Sequence, residues 1–263
     1  MPDLPLHVVT IMNFPPDANV RRMEYAFLDS VIAGGAERVT VLYEFHEPFI
    51  PARHRQAAEI VVRQGRSFDL GHPHFNLRFK LANLAALDEP FLFLDVDTFV
   101  LGDLRELWAL RGVKPWIGID HQWVPGDART HRSPFLNSGL QLVSDPTFYD
   151  LNAILAVQNA VVPLHRHSSV PKSAMFPCPG HDQAVLFRYF RTIGYDYTHP
   201  RIGPAWNSCA GMTTVAGTDG RWTARADGYD VRLIHYWSQF KPWAIDCPIY
   251  RSYEWVEPMP PRA

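Results

Sequence analysis

Cysteine is scarce in this sequence. Cys178, Cys209 and Cys247 are the only three in 263 residues, an odd number without Cys-x-x-Cys spacing. That usage fits thiols in a reducing, cytoplasmic compartment, not a disulfide framework. An excess of positive charge is also missing: 25 Lys and Arg face 27 Asp and Glu, for a net charge of −2. Without a basic field, the phosphate attraction that dominates nucleic-acid binding has little to work with. No run approaches the ~18 consecutive apolar residues of a spanning helix, so no membrane span is expected. The opening MPDLPLHVVTIMNF has no basic region leading into a long apolar run, so no signal peptide is expected. Internal repeats and low-complexity linkers are absent, which favours one domain.

What is present is an ordinary apolar fraction, 47%, in a chain long enough to bury roughly three-quarters of its unfolded surface. A β-branched run predicts a strand over 7–12, broken by Asn13-Phe14-Pro15-Pro16-Asp17. A helix is predicted over 18–33, stopped by Gly34-Gly35, and a second strand over 39–43. Residues 56–64 fit helix and strand equally. Further on, helices are expected over 78–87, 104–110, 148–161 and 182–191. Strands are expected over 91–94, 116–119, 140–143 and 231–236. Strands alternating with helices over the first 120 residues argue for an α/β fold with a mainly parallel sheet. The later half is more irregular, and the Pro-, Trp- and Tyr-rich tail after Trp243 is expected to wrap the surface.

The stretch FLFLDVDTFV, 91–100, carries the first chemical signal. Four apolar residues, as in a central parallel strand, run into Asp95 and Asp97. Residues two apart on an extended chain face the same way. The pair therefore converges at the carboxyl end of a central strand, the edge where open α/β sheets bind ligands. Two hard oxygen ligands there suit Mg²⁺ or Mn²⁺. Two other readings stand beside this one: a strand end with solvated carboxylates, and the Asp-x-Asp nucleophile of haloacid-dehalogenase-type phosphatases. Against the latter, Thr98 comes one place early, and no later acidic pair supplies its Mg²⁺.

Three more stretches bear on the choice. PFLNSGLQLV (134–143) offers an amide side chain and a closely approachable backbone at Asn137-Ser138-Gly139. GHDQAVL (180–186) opens a helix with Asp182 and Gln183. LIHYWSQFKPW (233–243) delivers His235 on a strand and then Lys241 on a loop. His is a common metal ligand and Lys a point charge suited to phosphate.

In this order and spacing, these motifs resemble the glycogenin and lipopolysaccharide-galactosyltransferase group, glycosyltransferase family 8. The matching pieces are Lys80-Leu81, the LDVDT block, the Asn-Ser-Gly block, the Asp182-Gln183 pair and the His235…Lys241-Pro242-Trp243 ending. IDHQW (119–123) is similar to that group's Asp-x-x-Trp. The resemblance covers about residues 78–243 and implies a GT-A-type, Rossmann-like fold with a small antiparallel C-terminal part. Residues 1–245 would form the transferase domain, and 246–263 a Pro-rich tail packed on its surface.

The resemblance also implies roles. The reaction would be metal-dependent, retaining transfer of a hexose from a nucleotide-sugar donor, such as UDP-glucose or UDP-galactose, to a hydroxyl. Asp95, Asp97 and His235 would hold Mn²⁺ or Mg²⁺ across the two phosphates, with Asp95 also near the ribose beside Val96. Lys241 and Ser238 would meet the diphosphate, and Lys80 the phosphates or donor sugar. Asn137, Ser138, Asp182 and Gln183 would line the sugar, with Gln183 beneath the anomeric carbon. Asp182, Gln183 and Lys241 are the catalytic candidates. Gln183 is a poor nucleophile, which favours front-face attack, with Asp182 as the alternative nucleophile.

Departures from the family pattern are Ser238 in place of Gly, Ala184 after the Asp-Gln pair, and the absence of the Asn-Asp-x-Tyr whose ring stacks on uracil. Phe14 is a candidate substitute, and Thr10, Met12 and Asn13 are placed to contact the base. A nucleotide-sugar-binding protein without turnover is therefore an alternative. The acceptor is open between a saccharide, a protein, a small metabolite and a modified nucleobase, and the oligomeric state is also open. Tyr189, Tyr195 and Tyr197 are considered for self-glycosylation, and Trp206 and Trp237 for sugar stacking. Lys80 can also be read as a surface lysine. Asp120 and Trp123 are read equally as substrate contacts or not. His72, His74 and the His165-Arg166-His167 cluster are read as loop residues.

Overall fold

The computed structural model describes residues 4–13, 17–66, 76–120, 136–154, 156–157, 182–218, 221–237, 240–245 and 247–253. Its first strand, β1 (His7–Ile11), is buried along its whole length. Asp17 then caps α1 (Ala18–Ala33), its Oδ1 accepting from the Val20 N–H at 2.8 Å, which satisfies one of the orphan amides of the first turn. Gly34 and Gly35 end the helix, Gly35 at φ +97°, a left-handed conformation that glycine adopts without strain. β2 (Arg38–Tyr43) follows. The undecided stretch 56–64 divides between α2 (Ala52–Ala57) and β3 (Glu59–Gln64). Ala58 is extended and stops the helix, and the β-branched Ile60-Val61-Val62 takes the strand.

The helix expected from residue 78 begins earlier, as a π-helical turn (Asn76–Leu81) that runs into α3 (Ala82–Leu84). β4 (Phe91–Leu94) is followed almost at once by β5 (Thr98–Val100), a strand not foreseen. Next come α4 (Arg105–Trp108), β6 (Trp116–Asp120) and β7 (Leu136–Val143), which is four residues longer than expected. Residues 151–154 and 156–157 are helical. After α5 (Asp182–Thr192) the strands are short: β8 (Ser208–Cys209), β9 (Thr214–Thr218), β10 (Arg221–Ala226), β11 (Tyr229–Asp230) and β12 (Leu233–His235). One-turn helix α6 (Pro248–Arg251) closes the described chain.

The main sheet has the order β3-β2-β1-β4-β7-β6. β3, β2, β1 and β4 are parallel, and β7 runs antiparallel to both its neighbours. β4 is therefore central, which explains its apolar run. Leu92 and Leu94 pack with Val8, Phe27 and Val31 on one face, and Phe91 and Phe93 with Phe79, Trp116 and Phe190 on the other. Each fully buried Leu or Phe contributes about 1.5–3 kcal/mol. A three-stranded sheet, β11-β10-β9, is antiparallel. A second one, β5-β12-β8, joins β5 and β12 antiparallel, opposite Thr98 to His235.

Asp95 and Asp97 lie at the junction of two sheets. The Asp95 N–H still donates to Gly139 O at 2.9 Å, extending the β4–β7 ladder by one residue. The chain then turns: Thr98 donates to Asp95 O through both its N–H (3.2 Å) and its Oγ1 (2.8 Å). The two carboxylates converge through this turn and not through strand alternation. The early Thr98 is the residue that closes it.

The segment after Trp243 is more than a surface wrap. Cys247, Ile249 and Tyr250 are buried, and Tyr250 Oη donates to Asn19 Oδ1 of α1 at 2.6 Å. Cys209 and Cys247 are buried thiols. Among the described residues no helix is long and apolar enough to cross a membrane.

Candidate active site

Five elements bring charged side chains to the carboxyl edge of β4. The turn after β4 supplies Asp95 and Asp97, β12 supplies His235, and the loop after β12 supplies Lys241. The π-helical turn supplies Lys80, and the first residue of α5 is Asp182.

Asp95, Asp97 and His235 each offer a ligand atom, and these atoms lie within 4.8 Å of one another. His235 Nε2 is 3.4 Å from Asp97 Oδ1 and 3.8 Å from Asp95 Oδ2. The other ring nitrogen, Nδ1, is 2.9 Å from Asn207 Oδ1. With the Nδ1 hydrogen donated to Asn207, the Nε2 lone pair points at two carboxylate oxygens. Three electron-rich atoms facing one point fit a divalent cation of the Mn²⁺ or Mg²⁺ class. Lys241 Nζ pairs with Asp97 Oδ2. Burial alone would raise the Asp97 carboxyl, but the Lys241 charge and the His235 contact hold it well below the usual carboxylate range.

Gly139 makes room for this cluster. A Cβ at that position would collide with His235 Cε1 and sit 2.9 Å from Asp95 Oδ2. Its N–H donates to Asn137 Oδ1 at 2.8 Å. The Asn-Ser-Gly block is thus a backbone that must come close. Gly139→Ala is expected to displace His235 by several tenths of an ångström or more. Misplacement on the ångström scale costs about 10²-fold in turnover. Manganese titration alongside donor-turnover assays would check this, and unchanged values for both would contradict it.

Lys80 is not a surface lysine: its exposure is 3%. Its Nζ reaches Asp95 Oδ1 at 2.9 Å, Asp182 Oδ2 at 2.9 Å and Ser138 O at 3.0 Å. Asp95 Oδ1 and Ser138 O accept its ammonium protons, and Asp182 Oδ2 faces the head group as an ion pair. The head group also lies 4.4 Å from the centroid of the Phe93 ring. Burial works against the charge, yet Asp182 and Asp95 hold its pKa above that of an ordinary lysine. Lys80 therefore clamps two carboxylates instead of presenting a free charge to a ligand. Ser138 O is braced from behind by Gln141 Nε2 at 2.6 Å, and Gln141 Oε1 accepts from Tyr149 Oη.

The remaining expected residues divide. Thr10 is fully buried at the end of β1, its Oγ1 without a hydrogen-bond partner among the described residues. Asn13 ties strand ends together, its Oδ1 accepting from the Glu44 N–H (2.8 Å) and the Phe45 N–H (3.1 Å). Met12 and Val96 point into the core, and the Met12 N–H donates to Leu42 O at 3.0 Å. Gln183 is half-buried beside Asp182. Ser238, Phe14, His72, His74, Trp123, His165, Arg166, His167 and Cys178 lie outside the described residues.

Several peripheral candidates prove structural. Tyr197 Oη donates to Asp120 Oδ1 and Tyr195 Oη to Trp116 O, both at 2.5 Å. Tyr189 is buried, as is Trp206 within the core. Tyr197 is buried as well, and Tyr195 is half-buried. Trp237 stands edge-on to His235, with ring centroids 5.3 Å apart. Trp243 is exposed, its ring centroid 6.4 Å from that of Tyr250.

Sequence reasoning missed Asn207, which lies in the segment between 200 and 230 that matches no motif. Its only signal is a polar side chain next to the short β8 strand.

Comparison with known proteins gives a fold. No protein-family description matches the chain, and no curated protein matches it. Among solved structures it is similar to the glycosyltransferase GlyE of Streptococcus pneumoniae TIGR4. The apo form superposes with a TM-score of 0.58 at 15% identity, covering 97% of this chain and 61% of that one. A second GlyE structure gives a TM-score of 0.57 at 16% identity, covering 96% and 61%. Mouse xyloside xylosyltransferase 1 gives 0.47 at 12% identity, covering 88% and 97%. The chain thus spans about three-fifths of GlyE. Its fold is that of GT-A-like glycosyltransferases, a mainly parallel central sheet with antiparallel additions.

Proposed function

We propose that this protein is a metal-dependent, retaining glycosyltransferase of the family 8 type. It transfers a hexose from a nucleotide-diphosphate sugar, UDP-glucose or UDP-galactose, to a hydroxyl acceptor. The observation that carries this reading is the Asp95–Asp97–His235 cluster, with Lys241 beside it, at the carboxyl edge of a GT-A-like sheet.

Breaking a glycosyl–phosphate bond builds negative charge on the leaving diphosphate. Asp95, Asp97 and His235 would hold a Mn²⁺ or Mg²⁺, which would supply Lewis-acid stabilisation to that group. Lys241 lies next to Asp97 on a loop, and it exchanges that carboxylate for the diphosphate as a positioned point charge. Lys80 keeps Asp95 and Asp182 in place and neutralises part of their charge. Asn137, Ser138 and Gln183 border the space for the donor sugar. Asp182 is 1% exposed and ion-paired to Lys80. That supports front-face attack by the acceptor over a covalent sugar–Asp182 intermediate.

The test is incubation with UDP-glucose and UDP-galactose in the presence of Mn²⁺. Slow UDP release without acceptor is expected, and chelation by EDTA should stop it. Tight UDP binding with no release under any acceptor would instead favour a nucleotide-sugar-binding protein. Absence of both binding and release would overturn the reading.

A further inference from the structure

We infer that Asn207 is a positioning residue for the metal site: its side-chain oxygen holds the Nδ1 edge of His235 so that the ring presents Nε2 to the metal. The inference rests on the metal reading of the Asp95–Asp97–His235 cluster and goes beyond its three ligands.

The contact is short and dry. His235 Nδ1 and Asn207 Oδ1 are 2.9 Å apart, and the two residues are 4% and 1% exposed. Water does not compete for either group. The backbone fixes both ends of the pair. His235 is the last residue of β12, whose register places Ile234 opposite Ser208 and His235 opposite Cys209. Asn207 directly precedes Ser208 and follows the 3-10 turn Pro204–Trp206, whose Trp206 is anchored in the core.

A neutral imidazole carries one proton on one of two nitrogens. An oxygen on Nδ1 selects the form with hydrogen on Nδ1 and the lone pair on Nε2. That lone pair faces Asp97 Oδ1 and Asp95 Oδ2. The opposite form would point an N–H at the carboxylates and leave no ligand atom for a cation. Asn207 Nδ2, by contrast, is buried without a hydrogen-bond partner among the described residues. An orphaned buried donor costs stability. The amide is therefore held here for its acceptor, in spite of its donor.

The experiment measures Mn²⁺ affinity of full-length protein by electron paramagnetic resonance, for wild type, Asn207→Ala and Asn207→Asp. Loss of a partner of this kind typically weakens metal binding about 10–100-fold, and that is the expectation for Asn207→Ala. Asn207→Asp keeps the acceptor, drops the orphaned donor and adds a negative charge that strengthens the hold on Nδ1–H, so it is expected to hold wild-type affinity or better. A merely structural asparagine would not be rescued by a carboxylate in this way. Thermal unfolding without metal shows whether each variant is folded, and Asn207→Ser replaces Asn207→Ala if the latter is not. Equal affinity of wild type and Asn207→Ala would overturn the inference while leaving the metal reading intact. An Asn207→Asp defect as large as that of Asn207→Ala would overturn it too. No Mn²⁺ binding by wild type would overturn the metal reading first.

Discussion

Asp97→Ala is expected to abolish Mn²⁺ binding at this site and lower donor turnover by about 10³-fold or more. The size follows from the role. A bound metal contributes several kcal/mol to stabilising a leaving group, and each 1.4 kcal/mol or so is a factor of ten in rate. Asp97 is also the partner of Lys241, so its removal disturbs a second group of the same site. His235→Ala is expected to act in the same direction, since it removes the third ligand atom of the cluster. UDP release from a UDP-sugar, with parallel Mn²⁺ titration, reads the outcome. Full activity in both Asp97→Ala and His235→Ala would remove the metal assignment.

Lys80→Met should cost the fold itself. The substitution leaves Asp95 and Asp182 facing each other without their shared cation. Removing one partner of a buried ion pair typically destabilises by about 3–5 kcal/mol. For a chain of this size that corresponds to a fall of roughly 10 °C in Tm. Arginine is not expected to rescue, because its planar fork does not match oxygens arranged around one ammonium.

The pH dependence has a definite sign. Burial raises the Asp95 carboxyl above its unfolded value of about 3.9 even with the Lys80 charge opposing it, and removing that charge raises it further. Such groups cost nothing below the unfolded value and destabilise as pH rises through the folded one. The gap between wild type and Lys80→Met is therefore expected to be small near about pH 4 and to widen toward neutrality. Thermal melts across that range would show it, and a gap independent of pH would mean that Lys80 acts through packing alone.

The strand–helix alternation of the first half was legible because it rests on local signals. HVVTI is β-branched, Asp17 caps a helix that two glycines end, and FLFL is apolar on both faces. Each is decided within a few residues of the chain. Asp95, Asp97, His235 and Lys241 stood out for a related reason: polar and charged groups at the ends of apolar strands are conspicuous in one dimension.

Tertiary structure decided the rest. The convergence of Asp95 and Asp97 depends on a turn into β5, which is visible only once β12 pairs with it. Lys80 reads as a surface lysine or a ligand contact until α5 delivers Asp182 beside Asp95, 102 residues from the lysine in neither a motif nor a repeat that links them. Its charge is retained because burial removes water and two carboxylates replace it. Asn207 has no local signature at all, since its importance arises from the register of β8 against β12. By itself, then, the sequence determined the strands β1, β2, β4 and β6 of the main sheet and which charged groups stand near strand ends, because backbone and burial preferences are local. Which of those groups pair, and which are clamps instead of ligands, was decided by distances across the fold, because electrostatic partners are chosen in space and not along the chain.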